Sequence, residues 1–160
     1  MSSKENKEKF WNFIKDVKVG MMTSQDGDDL RARPMHLIQN HYDGTLWFFT
    51  SVDSGKIDEI EEDRAVCISF SDHSNNTYVS MSGFAKLAFD RELINEFWNP
   101  FVAAWFPEGK DDPSLALLEV KIHKGEYWDS KSNMFAQIYE VAKANLTDQE
   151  PDMGENKKFG

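Results

Sequence analysis

Between Thr77 and Phe89 every second residue is apolar or glycine: Val79, Met81, Gly83, Ala85 and Leu87 share one face of a strand. A strand this long with a glycine at its centre predicts a bend or bulge of the kind that curls a sheet toward a barrel. Similar runs flank it. Val19 to Thr23, Leu30 to Gln39 and Leu46 to Ser51 read as strands separated by the turn signals Asp26-Gly27 and Asp43-Gly44, which together predict an antiparallel meander. Ala65 to Ser71 reads as a further strand, and Leu115 to Trp128 as a last long strand or two.

Helical spacing appears in four places. Phe10, Trp11, Phe13, Ile14 and Val17 follow a mixed-charge segment and predict an amphipathic helix covering one end of the sheet. A second helix is expected from about Ser54 to Glu62, with Ile57 and Ile60 inward. Asp90 is a natural N-cap for a third, running through Ile94, Phe97 and Trp98 and ended by Pro100. Met134, Phe135, Ile138, Val141 and Ala142 mark the last. The segment 148–160 is polar, contains Gly and Pro, and is expected to be a loosely ordered tail behind a single domain, 1–147. The expected class is therefore α+β: a six-stranded antiparallel barrel with peripheral helices.

Composition narrows the partners. A chain of 160 residues buries a modest core, which dimerisation would supplement, yet 13% of the residues are aromatic, so some aromatics are expected at an interface or against a ligand. A net charge of −10 opposes nucleic acids and anionic membranes, whose recognition rests on clustered cations. With no apolar run of membrane-spanning length and no signal-peptide core at Met1 to Lys7, a soluble cytoplasmic protein is expected. The lone Cys67 reads as core. His36, His41, His73 and His123 lack metal-ligand spacing, so no metal is expected. Neither Gly-x-Ser-x-Gly nor Gly-x-Gly-x-x-Gly occurs, which argues against hydrolase and dinucleotide-fold readings.

The stretch richest in chemistry is Trp47-Phe48-Phe49-Thr50-Ser51-Val52-Asp53-Ser54-Gly55-Lys56, an aromatic strand running into a hydroxyl-rich turn that ends on an ammonium group. Thr50, Ser51 and Ser54 offer hydroxyls, Gly55 permits close backbone approach, and Lys56 stands where a helix could begin, so a phosphomonoester is a fitting guest. The same residues would also serve as a plain helix cap, Ser54 at the N-cap and Asp58 and Glu59 in the first turn. Arg31 and Arg33, about one strand upstream, favour the anion. Alternation places Leu46, Phe48 and Thr50 on one face of the strand and Trp47, Phe49 and Ser51 on the other, so a flat ring could lie along the strand with its phosphate near Lys56. A flavin mononucleotide (FMN) has that shape.

Arg33-Pro34-Met35, Leu46 to Thr50, Ser54-Gly55-Lys56, Tyr78 to Ala85 and Glu126-Tyr127-Trp128-Asp129 together resemble the pyridoxamine 5′-phosphate oxidase-like split barrels over roughly residues 5 to 130. Ala104 to Pro113 is similar to their bacterial general stress protein branch. The resemblance implies a homodimeric split β-barrel with two FMN sites at the subunit interface. In it Arg33 and the backbone of Pro34, Met35 and His36 would flank the ring and ribityl chain, Phe49 and Thr50 would contact ring and arm with Ser51 beside them, and Ser54 and Lys56 would hold the phosphate. Tyr78 would sit near the flavin, and Trp128 would reach across from the other subunit unless it merely packs the barrel.

One departure bears on the substrate. In the vitamin-forming oxidases the segment after that tryptophan supplies Arg and His to the substrate phosphate, whereas here Asp129 to Phe135 contains neither, so synthesis of pyridoxal phosphate is not expected. Trp98, Phe101, Trp105 and Phe106 could line a pocket for an apolar or aromatic guest, or pack an interface. The expectation is an FMN-binding, oxidoreductase-like general stress protein with a small-molecule redox partner and no assigned catalytic residue. The alternatives are a flavin-binding stress or redox-responsive protein without turnover, and a split barrel that holds haem or deazaflavin.

Overall fold

The computed structural model describes residues 3–52, 65–130, 134–147, 150 and 154–159. The expected helix at 54–62 lies outside them, as do Ser54 and Lys56. Helix α1 (Ser3–Ile14) leads into the hairpin β1 (Val19–Asp26) and β2 (Asp29–His36), followed by β3 (Thr45–Ser51), β4 (Ala65–Asp72) and β5 (Thr77–Ala88). Helices α2 (Arg91–Phe97) and α3 (Pro100–Trp105) and a single 3₁₀ turn (Gly109–Asp111) connect β5 to β6 (Leu115–Ser130). Helix α4 (Met134–Thr147) and strand β7 (Gly154–Phe159) complete the order.

Where the sequence predicts six strands, the described residues hold seven, all antiparallel, in the order β2-β1-β4-β5-β6-β3 with β7 also on β6. The extra strand lies in the segment read as a tail. It pairs with β6 from Gly125↔Phe159 to Ser130↔Gly154, on the edge that β3 leaves at Thr45↔Lys121.

The meander is broken at its last step. β2 stops at His36, and β3 pairs with β6 along its whole length, from Thr45↔Lys121 to Ser51↔Leu115. One isolated bridge, Leu37↔Phe48, joins the two ends of the sheet, so the curled sheet does not close as a continuous ladder. The side chain of Gln39 does what further β2 ladder would have done: its Oε1 accepts from the Trp47 N–H at 2.7 Å and its Nε2 donates to the Thr45 carbonyl at 2.8 Å.

Curvature comes from the expected place. The β5–β6 register shifts between Ser82 and Gly83, leaving His123 as the extra residue on β6, and a Cβ at Gly83 would overlap the Lys121 carbonyl oxygen. The main core fills the curled sheet, with Met22, Phe48, Ile68, Met81 and Val120 closed off by Phe10 and Ile14 of α1. A second cluster, Ile94, Val102, Phe106, Leu115 and Leu117, lies where α2 and α3 cover the other face of β3 and β6. Because both faces are covered there, Leu115 to Leu118 are buried in succession rather than alternately.

Candidate functional site

β3 presents the two faces that its alternation predicts: Leu46, Phe48 and Thr50 are buried on the barrel side, while Trp47, Phe49 and Ser51 are half-buried on the helix side. On β2 the same parity buries Arg33 and Met35 and leaves Pro34 exposed and His36 half-buried. With the Leu37↔Phe48 bridge holding these strand ends together, Pro34 to His36 come to lie beside Phe49 to Ser51. They form one wall of a cavity of about 480 Å³, within the usual size range of small-molecule sites.

The facing wall is helical. Asn99 caps α3 by accepting from the Val102 N–H at 3.0 Å, and Pro100 at the first helical position starts this helix as well as stopping α2. α3 thereby sets Phe101, Val102 and Trp105 against the cavity, with Phe106 following. Arg91 of α2 donates to the Lys110 carbonyl at 2.7 Å and pairs with Asp111 at 2.5 Å, tying the helix pair to the 3₁₀ turn. Ser114 enters the lining from the turn just before β6, where Asp112 accepts from its N–H at 2.9 Å and its hydroxyl at 2.7 Å. Those bonds hold the Asp112 carboxyl below its ordinary value.

Two polar groups in the lining stand out. His36 stacks on Phe101 with ring centroids 4.3 Å apart and planes inclined by 28°. Its pKa is lowered by burial and then by the charge of Lys18, so the imidazole is neutral at pH 7. Thr50 is only 4% exposed, and among the described residues its Oγ1 has no hydrogen-bond partner. A buried hydroxyl in that state costs folding free energy until something bonds to it.

The structure thus gathers Pro34, Met35, His36, Phe49, Thr50 and Ser51 of the expected set at one cavity. Three others stand elsewhere. Arg33 does not line it; its Nη1 donates to the Ser24 hydroxyl at 2.7 Å inside the sheet. Tyr78 and Trp128 face each other in the β5–β6 ladder, toward the far end of a 16-residue strand whose first residue pairs with Ser51. Trp128 is 39% exposed. Ser54 and Lys56 lie outside the described residues. Of the aromatic cluster, Phe101, Trp105 and Phe106 line the cavity, while Trp98 packs edge-on against Phe49 at 6.0 Å. Val19, Ile38, Val102 and Ser114 are lining residues that no motif singles out, because non-local pairing and helix packing bring them there.

Cys67, expected in the core, is half-buried on β4 with its Sγ 3.3 Å from the Ser80 hydroxyl. Its strand parity opposes that of Val66 and Ile68, so it takes the outer face. Among the described residues no cluster of three or more His, Cys, Asp or Glu could hold a metal ion, and no helix is long and apolar enough to cross a membrane.

The chain is similar to known proteins across nearly its whole length. The family model described as pyridoxamine 5′-phosphate oxidase like matches residues 5–152. Protein bli-3 of Neurospora crassa is 31% identical over 147 residues, 85% of this chain and 70% of that protein. Among solved structures, a candidate general stress protein 26 from Jannaschia sp. superposes with a TM-score of 0.76 at 30% identity, covering 98% of each chain. The general stress FMN/FAD binding protein of Xanthomonas citri does so with a TM-score of 0.73 at 35% identity, covering 82% of this chain and 94% of that one. With the family's motifs in order along the strands and matches that span the sheet and its helices, the chain belongs to the pyridoxamine 5′-phosphate oxidase-like family, in its general stress protein branch.

Proposed function

We propose that the protein binds FMN in this cavity as a homodimer and acts as an oxidoreductase-like flavoprotein of the stress response. The observation that carries the reading is the unpartnered Thr50 hydroxyl, buried at the wall where Pro34 to His36 and Phe49 to Ser51 meet. A heteroatom-rich planar ring supplies a partner for it and apolar contact for Phe49. The FMN/FAD binding named for the Xanthomonas citri relative supports the same guest. Haem or deazaflavin remains the alternative occupant, told apart by the visible absorption of the loaded protein.

Bound FMN would supply reversible electron-pair chemistry; the chain would supply position. Ser54 and Lys56, which follow β3 in the sequence, would hold the phosphate. Phe49 and the backbone of Pro34 to His36 would flank the ring and arm, and Thr50 would bond to a ring or ribityl oxygen or nitrogen. Arg33, held on Ser24, would act by keeping β2 in register rather than by touching the ring. Tyr78 and Trp128 would serve the cavity of a second copy, which suits their distance along β6 and the exposed Val19, Met21, Phe84 and Trp128. Oxidation of pyridoxamine phosphate is not proposed, since the described lining offers no Arg or Lys to a substrate phosphate.

Thr50→Val tests the reading. Replacing an unsatisfied hydroxyl by a methyl should leave the flavin-free protein as stable or more stable, while weakening FMN roughly fivefold to tenfold, the worth of one hydrogen bond. Thermal melts and FMN titrations of both proteins measure this. Unchanged FMN affinity would remove Thr50 from the site.

A further inference from the structure

The cavity has two unlike walls, and the flavin reading uses only one. The strand wall carries the backbone and hydroxyl groups already assigned; the helix wall is aromatic. Phe106 is 7% exposed and anchors that wall in the second core cluster, whereas Phe101 is 51% and Trp105 72% exposed. Large aromatic faces left open beside a cavity are surface that an incoming ring would cover.

Charge decides which ring. No Lys, Arg, Asp or Glu lines the cavity among the described residues, and its one titratable group, His36, stacks on Phe101 rather than on an acid. An anionic guest packed against Phe101 and Trp105 would lose hydration without gaining a cation from the described lining, and the chain's net charge of −10 adds repulsion. A cationic guest finds no carboxylate among the described lining residues. A neutral flat ring loses little hydration and gains apolar contact on the helix wall, while His36 and Ser114 offer polar contacts to a hydroxyl or carbonyl at its edge.

We propose that the helix wall, Phe101, Trp105 and Phe106 with His36, binds a neutral planar aromatic molecule, the second ligand of this site. That ligand lies against α3 on the side of the cavity away from β3. The proposal rests on the flavin reading for what occupies the strand wall, but ring binding by α3 is measured separately from it.

The test is calorimetric titration of the full chain saturated with FMN, using 2-naphthol as the neutral probe and 2-naphthalenesulfonate as its anionic counterpart at neutral pH. The wild-type protein should bind 2-naphthol at least about tenfold more tightly than the sulfonate. Trp105→Ala and Phe101→Ala should each weaken 2-naphthol about fivefold to tenfold, with Trp105→Phe retaining most of the affinity and FMN affinity staying within about twofold throughout. Both side chains are half exposed or more, so these variants should fold, which circular dichroism checks. Equal or tighter binding of the sulfonate overturns the proposal, as does 2-naphthol affinity indifferent to Trp105 and Phe101. Loss of FMN affinity in parallel with 2-naphthol also overturns it, by giving the helix wall to the flavin. Should FMN fail to bind while 2-naphthol binds with the stated dependence, this inference stands and the flavin reading falls.

Discussion

Arg33 shows how strand parity sets what a charged residue in a motif touches. It shares the inward face of β2 with Met35, is 9% exposed, and spends a guanidinium N–H on Ser24, itself 2% exposed. The period-two rule that made Met35 core already required Arg33 to point the same way, so the direction was legible even though the motif drew attention to its charge. Arg33→Ala should therefore cost stability, about 2–4 kcal/mol from lost packing and the lost hydrogen bond to Ser24, read as a lowered melting temperature. A variant of unaltered stability whose flavin becomes harder to reduce would instead put the guanidinium against the ring. Thr50 is the converse case. Its identity and its face were readable in the alternation of β3, but its lack of a partner was not, because satisfaction depends on β6 and the core packed around it.

At the scale of elements, glycine positions predict the sharpest effects. A Cβ at Gly125 would overlap the ring of Phe159, the residue through which β7 reaches Phe10 at 4.3 Å between ring centroids. Gly125→Ala should destabilise the wild-type protein by about 1–3 kcal/mol, and much less in a Phe159→Ala background. A double-mutant cycle reads that difference directly, and additive costs would mean that β7 does not dock there. On the cavity's other wall, Asn99→Ala removes the α3 cap at a cost of about 1 kcal/mol, and binding to the helix wall should weaken with it. Titration of 2-naphthol into that variant checks the coupling. What the sequence showed and hid divides by range. Gly83 announced the bulge, Asp90 the cap of α2, and the β1–β2 hairpin its turn, all through local signals. The partner of β3 was hidden because a chain that reads as a meander carries no local mark of a strand 70 residues later. β7, Gly-Glu-Asn-Lys-Lys-Phe, is a strand only because β6 offers it an edge, and Pro100 reads as a stop until Asn99 is seen to cap the helix it begins.

For the whole molecule, the curled sheet separates its two sets of expected flavin residues. One set gathers where the ends of β2 and β3 meet, and the other, Tyr78 and Trp128, stands near the opposite end of a strand on the order of 50 Å long at ~3.3 Å per residue. If both sets belong to one site, two copies must build it, and the apolar residues left exposed on β1 and β5 are then interface. The most direct measurement is a titration of FMN into flavin-free protein, followed by quenching of flavin fluorescence, with the mass of the loaded species measured by light scattering. A cavity shared between two copies predicts saturation at one FMN per chain, a dissociation constant on the order of micromolar or tighter, and a mass of two chains. Absence of quenching at roughly a hundredfold higher FMN concentration, or full affinity in a species of single-chain mass, would contradict it.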